Sequence, residues 1–351
     1  MNFSYFFAFT ALAISAISAQ GQINTVPEGV TTYSLPATAV GQNTTSYYSV
    51  PLSNDPAYTG AVSTVAAATI TIADSPWTPN QFTTAPYFVK FLSGLQSGRV
   101  IKVVSNTANT LTLDTSDNSA QVVPLNTTNF SVASPDTFEV FAGDTLASLF
   151  GVNTQQSPLV LQGGTSVVTS DTVSIYNASL LHSLSYYFDT TAGFWKMYGS
   201  SANANNTVVY PYSAFAITRR SGEAATSFTL MGRVPEVTRL IKTTGSNSVI
   251  YNSTGYPVDM ELSQLDLGAN WTQGTNVVSA DTLSVWNNSL QHFDTYFQMP
   301  APDATWRKYG AGTTDESDFV IPAGTAVIFD KRGSASGSTS YLQPTLPYSL
   351  D

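Results

Sequence analysis

The sequence predicts a mainly β protein: a small N-terminal barrel or sandwich, then a C-terminal β-domain built from two tandem, pseudo-symmetric repeats with short helical turns. Three observations carry this. Only 10% of the residues are charged, against about 25% in an ordinary globular domain, while Thr, Ser, Asn, Val and Tyr abound, as suits strands and turns. Short apolar runs alternate with period two. One stretch also occurs twice: Ser170-Asp171-Thr172-Val173-Ser174-Ile175-Tyr176-Asn177 through His182 returns as Ala280-Asp281-Thr282-Leu283-Ser284-Val285-Trp286-Asn287 through His292. The two aspartates stand as far apart as the two histidines.

Taken in order, residues 1–19 read as a signal peptide. Phe3 to Ala19 is apolar but short for a membrane span, and Ala16-Ile17-Ser18-Ala19 offers small residues at a cleavage site. This predicts a secreted or cell-surface chain with no membrane span once mature. Residues 20–45 read as a polar lead-in carrying little information. The N-terminal β-domain is expected over 46–142. Its strands are Tyr47 to Leu52, Gly60 to Val65, Thr69 to Ile72, Tyr87 to Phe91, Arg99 to Val104, Thr110 to Leu113 and Thr137 to Phe141, with a glycine-containing hairpin loop at Ser93 to Gly98.

The duplicated domain follows over 143–351, with one repeat at about 143–242, a link from Val234 to Pro257, and a second repeat at about 258–349. Thr145 to Gly151 matches Glu261 to Gly268, and each reads as a helical turn or two stopped by glycine. Phe194-Trp195-Lys196-Met197-Tyr198 matches Thr305-Trp306-Arg307-Lys308-Tyr309, and Tyr210 to Ile217 matches Ile321 to Ile328. One copy alone would leave its apolar face wet, so the two halves are expected to close a common interior around a pseudo-twofold.

Charge and composition exclude several functions. The net charge is −10, and no Lys or Arg precedes Lys90. Such a surface cannot neutralise many phosphates, so nucleic acid is a poor partner. There is no cysteine, which removes disulfides, thiolate metal sites and a thiol nucleophile. No phosphate-binding loop, dinucleotide fingerprint or His-Glu-x-x-His motif occurs, and nothing calls for a cofactor.

Certain segments carry a family likeness: Pro56-Ala57-Tyr58-Thr59-Gly60, Pro76-Trp77-Thr78-Pro79-Asn80-Gln81-Phe82, Phe91 to Arg99, Asn106 to Asp114, Gly143-Asp144-Thr145-Leu146 and the paired Asp-Thr and Trp clusters. In these residues the chain resembles a paralogous family of secreted bacterial proteins best known from Verrucomicrobia, whose function is uncharacterised. The resemblance implies an extracytoplasmic bacterial β-protein and supplies no catalytic residues.

Four constellations could carry chemistry. His182 and His292 are the only histidines. Either could be a hydrolase base, but their matching places favour a shared structural task, such as bonding a turn carbonyl. Asp171 and Asp281 are the paired carboxylates a glycosidase needs. Yet Asp136-Thr137-Phe138 has the same form, and a strand-entry aspartate readily accepts hydrogen bonds from its own turn. Asp136, Asp171 and Asp281 are therefore read as structural turn residues. Asp315, Glu316 and Asp318, with Asp330 a strand away, are the densest acidic cluster and the candidate metal ligands. Trp195 with Tyr198, and Trp306 with Tyr309, are the candidate ligand platforms, because aromatic faces beside hydrogen-bonding groups hold carbohydrate. The competing reading, an aromatic core with a cation over the ring, is preferred.

The expected protein is a secreted, non-enzymatic structural or adhesive component of the cell surface or matrix. Its partner would be a glycan, another surface protein or a second copy of itself. The alternatives are a carbohydrate-binding module using Trp195 and Trp306, and a glycan-active hydrolase using Asp171 and Asp281.

Overall fold

The computed structural model describes residues 27–114, 125–131, 134–177, 180, 182–243, 248–268, 270–332, 340–342 and 344–349; the signal-peptide expectation for 1–19 lies outside the described residues. The protein is mainly β, as its composition predicts. Among the described residues no helix is long and apolar enough to cross a membrane.

Two five-stranded antiparallel sheets have the same plan. The first-half sheet runs Phe194–Met197, His182–Asp189, Thr172–Asn177, Ala214–Arg219, Thr44–Ser49. The second-half sheet runs Trp306–Lys308, His292–Gln298, Thr282–Asn287, Ala326–Lys331, Ser248–Ser253. The registers correspond as well. Asn177 faces His182 as Asn287 faces His292; Thr172 faces Thr218 as Thr282 faces Asp330; Ser49 faces Ala214 as Ser253 faces Ala326. Smaller ladders match too: Glu28–Leu35 with Thr226–Arg233 beside Ile241–Thr243 with Ser340–Leu342, and Asp144–Thr145 with Val208–Val209 beside Met260–Glu261 with Val320–Ile321.

These ladders correct the expected boundaries. The supposed lead-in contains the strand Glu28–Leu35, and Thr44–Ser49, cut by the expected boundary between lead-in and N-terminal domain, is an edge of the first-half sheet. The supposed link from Val234 to Pro257 contains Ile241–Thr243 and Ser248–Ser253, both strands of the second half. The expected match of Ile217 with Ile328 is off by one residue. Cross-strand partners place Ile217 with Phe329, so the extra residue lies in the loop after Trp306.

The helical turns form where expected, but only the first is stopped by its glycine; the second ends at Leu265, ahead of Gly268. Leu146–Phe150 is an α-helix closed at its start by a reciprocal cap, the Ser148 amide donating to Thr145 Oγ1 at 3.1 Å and the Thr145 amide to Ser148 Oγ at 2.8 Å. Gly151, with φ 80°, ends it. Its counterpart Leu262–Gln264 is a single 3₁₀ turn, whose Glu261 amide donates to Gln264 Oε1 at 2.8 Å.

Each half has a core of its own. Val173, Tyr186, Trp195, Phe215 and Ile217 point to one face of the first-half sheet and are covered by Leu146, Phe150, Leu161 and Phe228. Leu283, Tyr296, Trp306, Val327 and Phe329 do the same in the second half under Leu262, Leu265 and Trp271. The single common interior expected from the sequence is therefore replaced by two interiors. The reason is local: each half's helical turn and covering strands close its apolar face without help from the other.

The halves meet through the opposite faces of the two sheets, where Ala216 and Ile328 are buried. Tyr47 packs on Trp286 and Phe293, with ring centroids 4.8 and 4.9 Å away. Tyr251 stacks on Tyr176 at 4.6 Å. Tyr47 and Tyr251 hold the same sheet position, as do Tyr176 and Trp286, so the contacts are reciprocal. Ser49 Oγ donates to the Gly324 carbonyl and Ser253 Oγ to the Tyr212 carbonyl, both at 3.1 Å. Such pairing is what a pseudo-twofold produces.

Between Ser49 and Asp144 the chain leaves the first half and forms a seven-stranded sheet. Its order is Pro56–Ala61, Thr137–Ala142, Tyr87–Phe91, Val100–Asn106, Thr110–Leu113, Thr69–Thr71, Thr64–Ala66. The two edge strands are joined by Val62 and Ser63 alone, whose amides bond opposite ends of the sheet, Asp136 O at 2.9 Å and Thr71 O at 2.8 Å. The sheet thus curls around Ile70, Phe82, Val89, Phe91, Ile101, Leu111 and Phe138, and among the described residues no ladder closes it, so of the expected barrel or sandwich the barrel is not formed. It is an insert within the first half rather than a preceding domain.

Candidate functional surface

Asp171 and Asp281 are both 0% exposed. Asp171 Oδ1 accepts from the Arg220 amide at 2.7 Å and Oδ2 from the Gln162 amide at 3.0 Å, with Arg219 Nε 3.5 Å away. Asp281 repeats this: Oδ1 accepts from the Arg332 amide and Oδ2 from the Thr272 amide, each at 2.7 Å, and Lys331 Nζ contacts Oδ2. Where donors in the carboxylate's own turn were expected, they come mainly from an adjacent loop and a neighbouring strand, so each carboxylate is a bracket between segments. Neither carboxylate reaches solvent. Asp136 keeps closer to the expected form, with Oδ2 accepting from the Ser131 amide at 3.2 Å in its own turn.

The tryptophan platforms are overturned. Trp195 is 0% and Trp306 1% exposed. Trp195 Nε1 donates to the Gly151 carbonyl at 2.8 Å, tying the sheet to the end of the helix. Trp306 packs beside Trp271, their centroids 5.9 Å apart. The alternation of a strand explains this, since each Trp shares the core face with Tyr186 or Tyr296 on the adjoining strand. The cation expected over the indole is also elsewhere: Lys196 Nζ lies 5.5 Å from the Phe194 ring and bonds Asp189 at 2.8 Å.

Tyr198 and Tyr309 behave oppositely. Each is 68% exposed and stands in a matching turn, its amide bonded at 2.8 Å to Ser185 O or Thr295 O. Two further exposed pairs follow the same rule. Leu180 and Leu290 cap the hairpin tips, their amides bonded at 3.0 Å to Asn177 Oδ1 and Asn287 Oδ1. Val168 and Val278 stand out from the turns that precede the buried aspartates. The signal for these pairs was present in the duplication, but only the fold tells which matched apolar residues are core and which face water.

The acidic cluster is not gathered into a metal site. Among the described residues no group of three or more His, Cys, Asp or Glu is placed to hold an ion. Asp315 Oδ1 is occupied by the Ser317 amide at 2.9 Å, and bonds from the Ser317 hydroxyl first and its amide second hold the Asp315 pKa below the usual carboxylate value. Asp330 pairs with Arg332 at 2.7 Å.

The histidines have different partners despite their matching places. His182 Nδ1 lies 3.0 Å from the Leu180 carbonyl, the turn-bonding task expected of it. His292 Nε2 instead lies 2.9 Å from Asp294 Oδ1. Asp294 also takes Lys308 Nζ at 2.9 Å and Asn287 Nδ2 at 3.0 Å. Burial pushes the Asp294 carboxyl up, but Asn287, Lys308 and His292 together outweigh this and hold it low. In the first half Leu184 and Met197 occupy the positions of Asp294 and Lys308, packed against the core. This network exists in one half only, and among the described residues no serine or threonine hydroxyl bonds His292. It is a polar cluster centred on Asp294.

No protein-family model, curated protein or solved structure matches this chain.

Proposed function

We propose that the protein is an exported, non-enzymatic structural or adhesive component that works through contact surfaces rather than a reaction centre. One observation supports this above others. Val168, Leu180 and Tyr198 are exposed in the first half, and Val278, Leu290 and Tyr309 are exposed at the corresponding turns of the second. Large apolar side chains in water contribute nothing to either core, and their repetition presents the same contact chemistry twice on one molecule. The burial of Asp171, Asp281, Trp195 and Trp306 supports a contact role over a reaction at these residues.

Purified protein tests the reading by light scattering and electron microscopy across a concentration series. Assemblies that are lost in a Leu180→Asp, Leu290→Asp double variant with unchanged circular dichroism support it. Monomer at every concentration, with no adhesion to cells or matrix, overturns it. A second reading, a carbohydrate-binding module, now rests on Tyr198 and Tyr309 because both rings are open to solvent. Glycan binding lost in Tyr198→Ser, Tyr309→Ser would favour that reading over self-association.

A further inference from the structure

The strand registers fix where each exposed apolar pair stands. Val168 precedes the strand Thr172–Asn177 and Leu180 follows it, so the two mark opposite ends of the first-half sheet. Val278 and Leu290 flank Thr282–Asn287 in the same way. Across the seam the two sheets run head to foot. Thr45 lies level with Thr172, because both face Thr218. The Thr45 amide donates to Gln291 Oε1 at 2.8 Å, and its carbonyl accepts from Trp286 Nε1 at 2.9 Å. The second-half hairpin tip, with Leu290, therefore sits at the Val168 end of the first half. At the other end Tyr176, next to the first-half tip, stacks on Tyr251. The strand of Tyr251 starts level with Thr282, because Val249 and Thr282 both face Asp330. Each end of the molecule thus exposes one valine turn and one leucine tip, Val168 with Leu290 and Val278 with Leu180. Val40, also exposed, joins the first of these ends, since the adjacent Gly41 amide donates to Ser221 Oγ.

These side chains stand on turns that are held in place. The Arg220 guanidinium donates to the carbonyls of Val167 and Ser170, and Arg332 Nη1 donates to the Val277 carbonyl at 2.7 Å. Asn276 Oδ1 takes the Val278 amide at 2.9 Å, as Asn177 and Asn287 take the leucine amides. A contact element already fixed loses little conformational freedom on binding. Charge then separates the ends from the flanks. The chain carries a net charge of −10, so two copies repel unless they meet where charge is balanced. At the ends carboxylates have cations within the chain: Glu223 has Arg219, Asp294 has Lys308, and Asp330 has Arg332. The second-half flank differs. The Glu316 amide donates to the Trp306 carbonyl at 2.8 Å, which sets Asp315, Glu316 and Asp318 along the edge strand Trp306–Lys308, next to Tyr309. Two copies meeting side by side there would oppose like charges.

We propose that the protein joins end to end with further copies of itself, the valine turn and leucine tip at one end of a copy packing on an end of the next. This rests on the reading of the exposed pairs as contact surfaces. The two ends face opposite ways, so a contact at one leaves the other free, and growth stays open instead of closing at a dimer. Tyr198 and Tyr309, beside the edge strands, stay outside the junction.

A chain without cysteine allows a clean cross-linking test. Val168→Cys with Leu180→Cys places one thiol at each end, and oxidation should give a ladder of multimers on a denaturing gel. Leu180→Cys alone should stop at the dimer, and Tyr198→Cys with Tyr309→Cys should give no ladder. Leu180→Asp and Leu290→Asp each block one end. Either should raise the concentration at which fibres form about tenfold or more, with circular dichroism unchanged because both side chains lie in water. Added salt should leave the fibres intact, since it screens the repulsion between copies. Fibres that form at the wild-type concentration in both single variants, yet are lost in Tyr198→Asp with Tyr309→Asp, overturn the end-to-end junction and leave self-association standing. A wild-type chain that stays monomeric but adheres to cells or matrix also overturns it. Monomer without adhesion overturns the reading of the exposed pairs as well.

Discussion

Replacing Asp171 by asparagine changes one charge and leaves the shape almost intact. The carboxylate accepts from the amides of Gln162 and Arg220 through different oxygens and faces Arg219. Asparagine has one acceptor oxygen, so one of the two amides loses its partner and the new side-chain amide points at a donor. A buried donor left unsatisfied costs about 1–3 kcal/mol, and breaking a buried ion pair about 3–5 kcal/mol. Arg219 keeps its bonds to the Pro36 and Ala224 carbonyls at 2.9 and 2.7 Å, which softens the second term. The expected loss is about 3 kcal/mol. Urea unfolding followed by tryptophan fluorescence measures it, and amide exchange at Gln162 and Arg220 should accelerate first. Asp281→Asn should behave alike in the separate core of the second half, and the double variant should be additive within about 0.5 kcal/mol. A loss below about 1 kcal/mol, the size of a surface pair, would refute the bracket. So would loss of a glycan-cleaving activity in a variant of unchanged stability.

The seam between the halves should show coupling: a double-mutant cycle of Tyr47→Ala and Trp286→Ala is expected to give about 1 kcal/mol, as for other aromatic pairs, and zero coupling would mean that the rings are neighbours only. Acid should weaken the protein through Asp189 and Asp294. Lys196 and the Ala192 amide hold Asp189 low, while bonds from Asn287, Lys308 and His292 overcome burial at Asp294. Because both carboxyls titrate lower when folded, their stabilisation is full above the unfolded value of about 3.9 and is lost as pH falls through the folded values. Urea midpoints between pH 6 and pH 2.5 should fall less steeply in Lys196→Met, Lys308→Met, and an equal slope would count against the pairing.

How much of this was legible beforehand depends on the range of the interaction. The fold class and the paired strands at Thr172–Asn177 and Thr282–Asn287 were readable because alternation and duplication are local patterns. The brackets were half-readable: Asp before Thr at a strand entry marks a structural acceptor, but nothing local reveals that its donors sit at Gln162 and Arg220. The preference for a core position at Trp195 and Trp306 rested on the general burial of tryptophan alone, because the same Trp-Lys or Trp-Arg pair suits a platform or a core until strand parity is known. The insert was hidden for a similar reason. Thr44–Ser49 looks like any strand, and only its ladder with Ala214–Arg219 assigns it to the first half.

The insert makes a demand that can be tested by removing it. It leaves and re-enters the first half at one point, since Asn54 Nδ2 donates to the Ala142 carbonyl at 2.9 Å and Pro56 pairs with Phe141. The second half makes the equivalent connection, from Ser253 to Met260, with a short loop. Among the described residues none of the insert belongs to the first-half core around Trp195 and Ile217. A chain lacking 55–142, with Asn54 joined to Gly143 by a few glycines and serines, should therefore fold. It loses the Phe88 ring beside Tyr210, centroids 5.5 Å apart, and the Glu139 partner of Arg233, which retains Glu236. Those losses predict lower stability and more exposed apolar surface, but retained sheet content and a Trp195 still shielded from quenchers. If the shortened chain is unfolded by circular dichroism even with Arg233→Gln removing the cation that lost Glu139, the first half depends on the insert, and the two halves are not equivalent folding units.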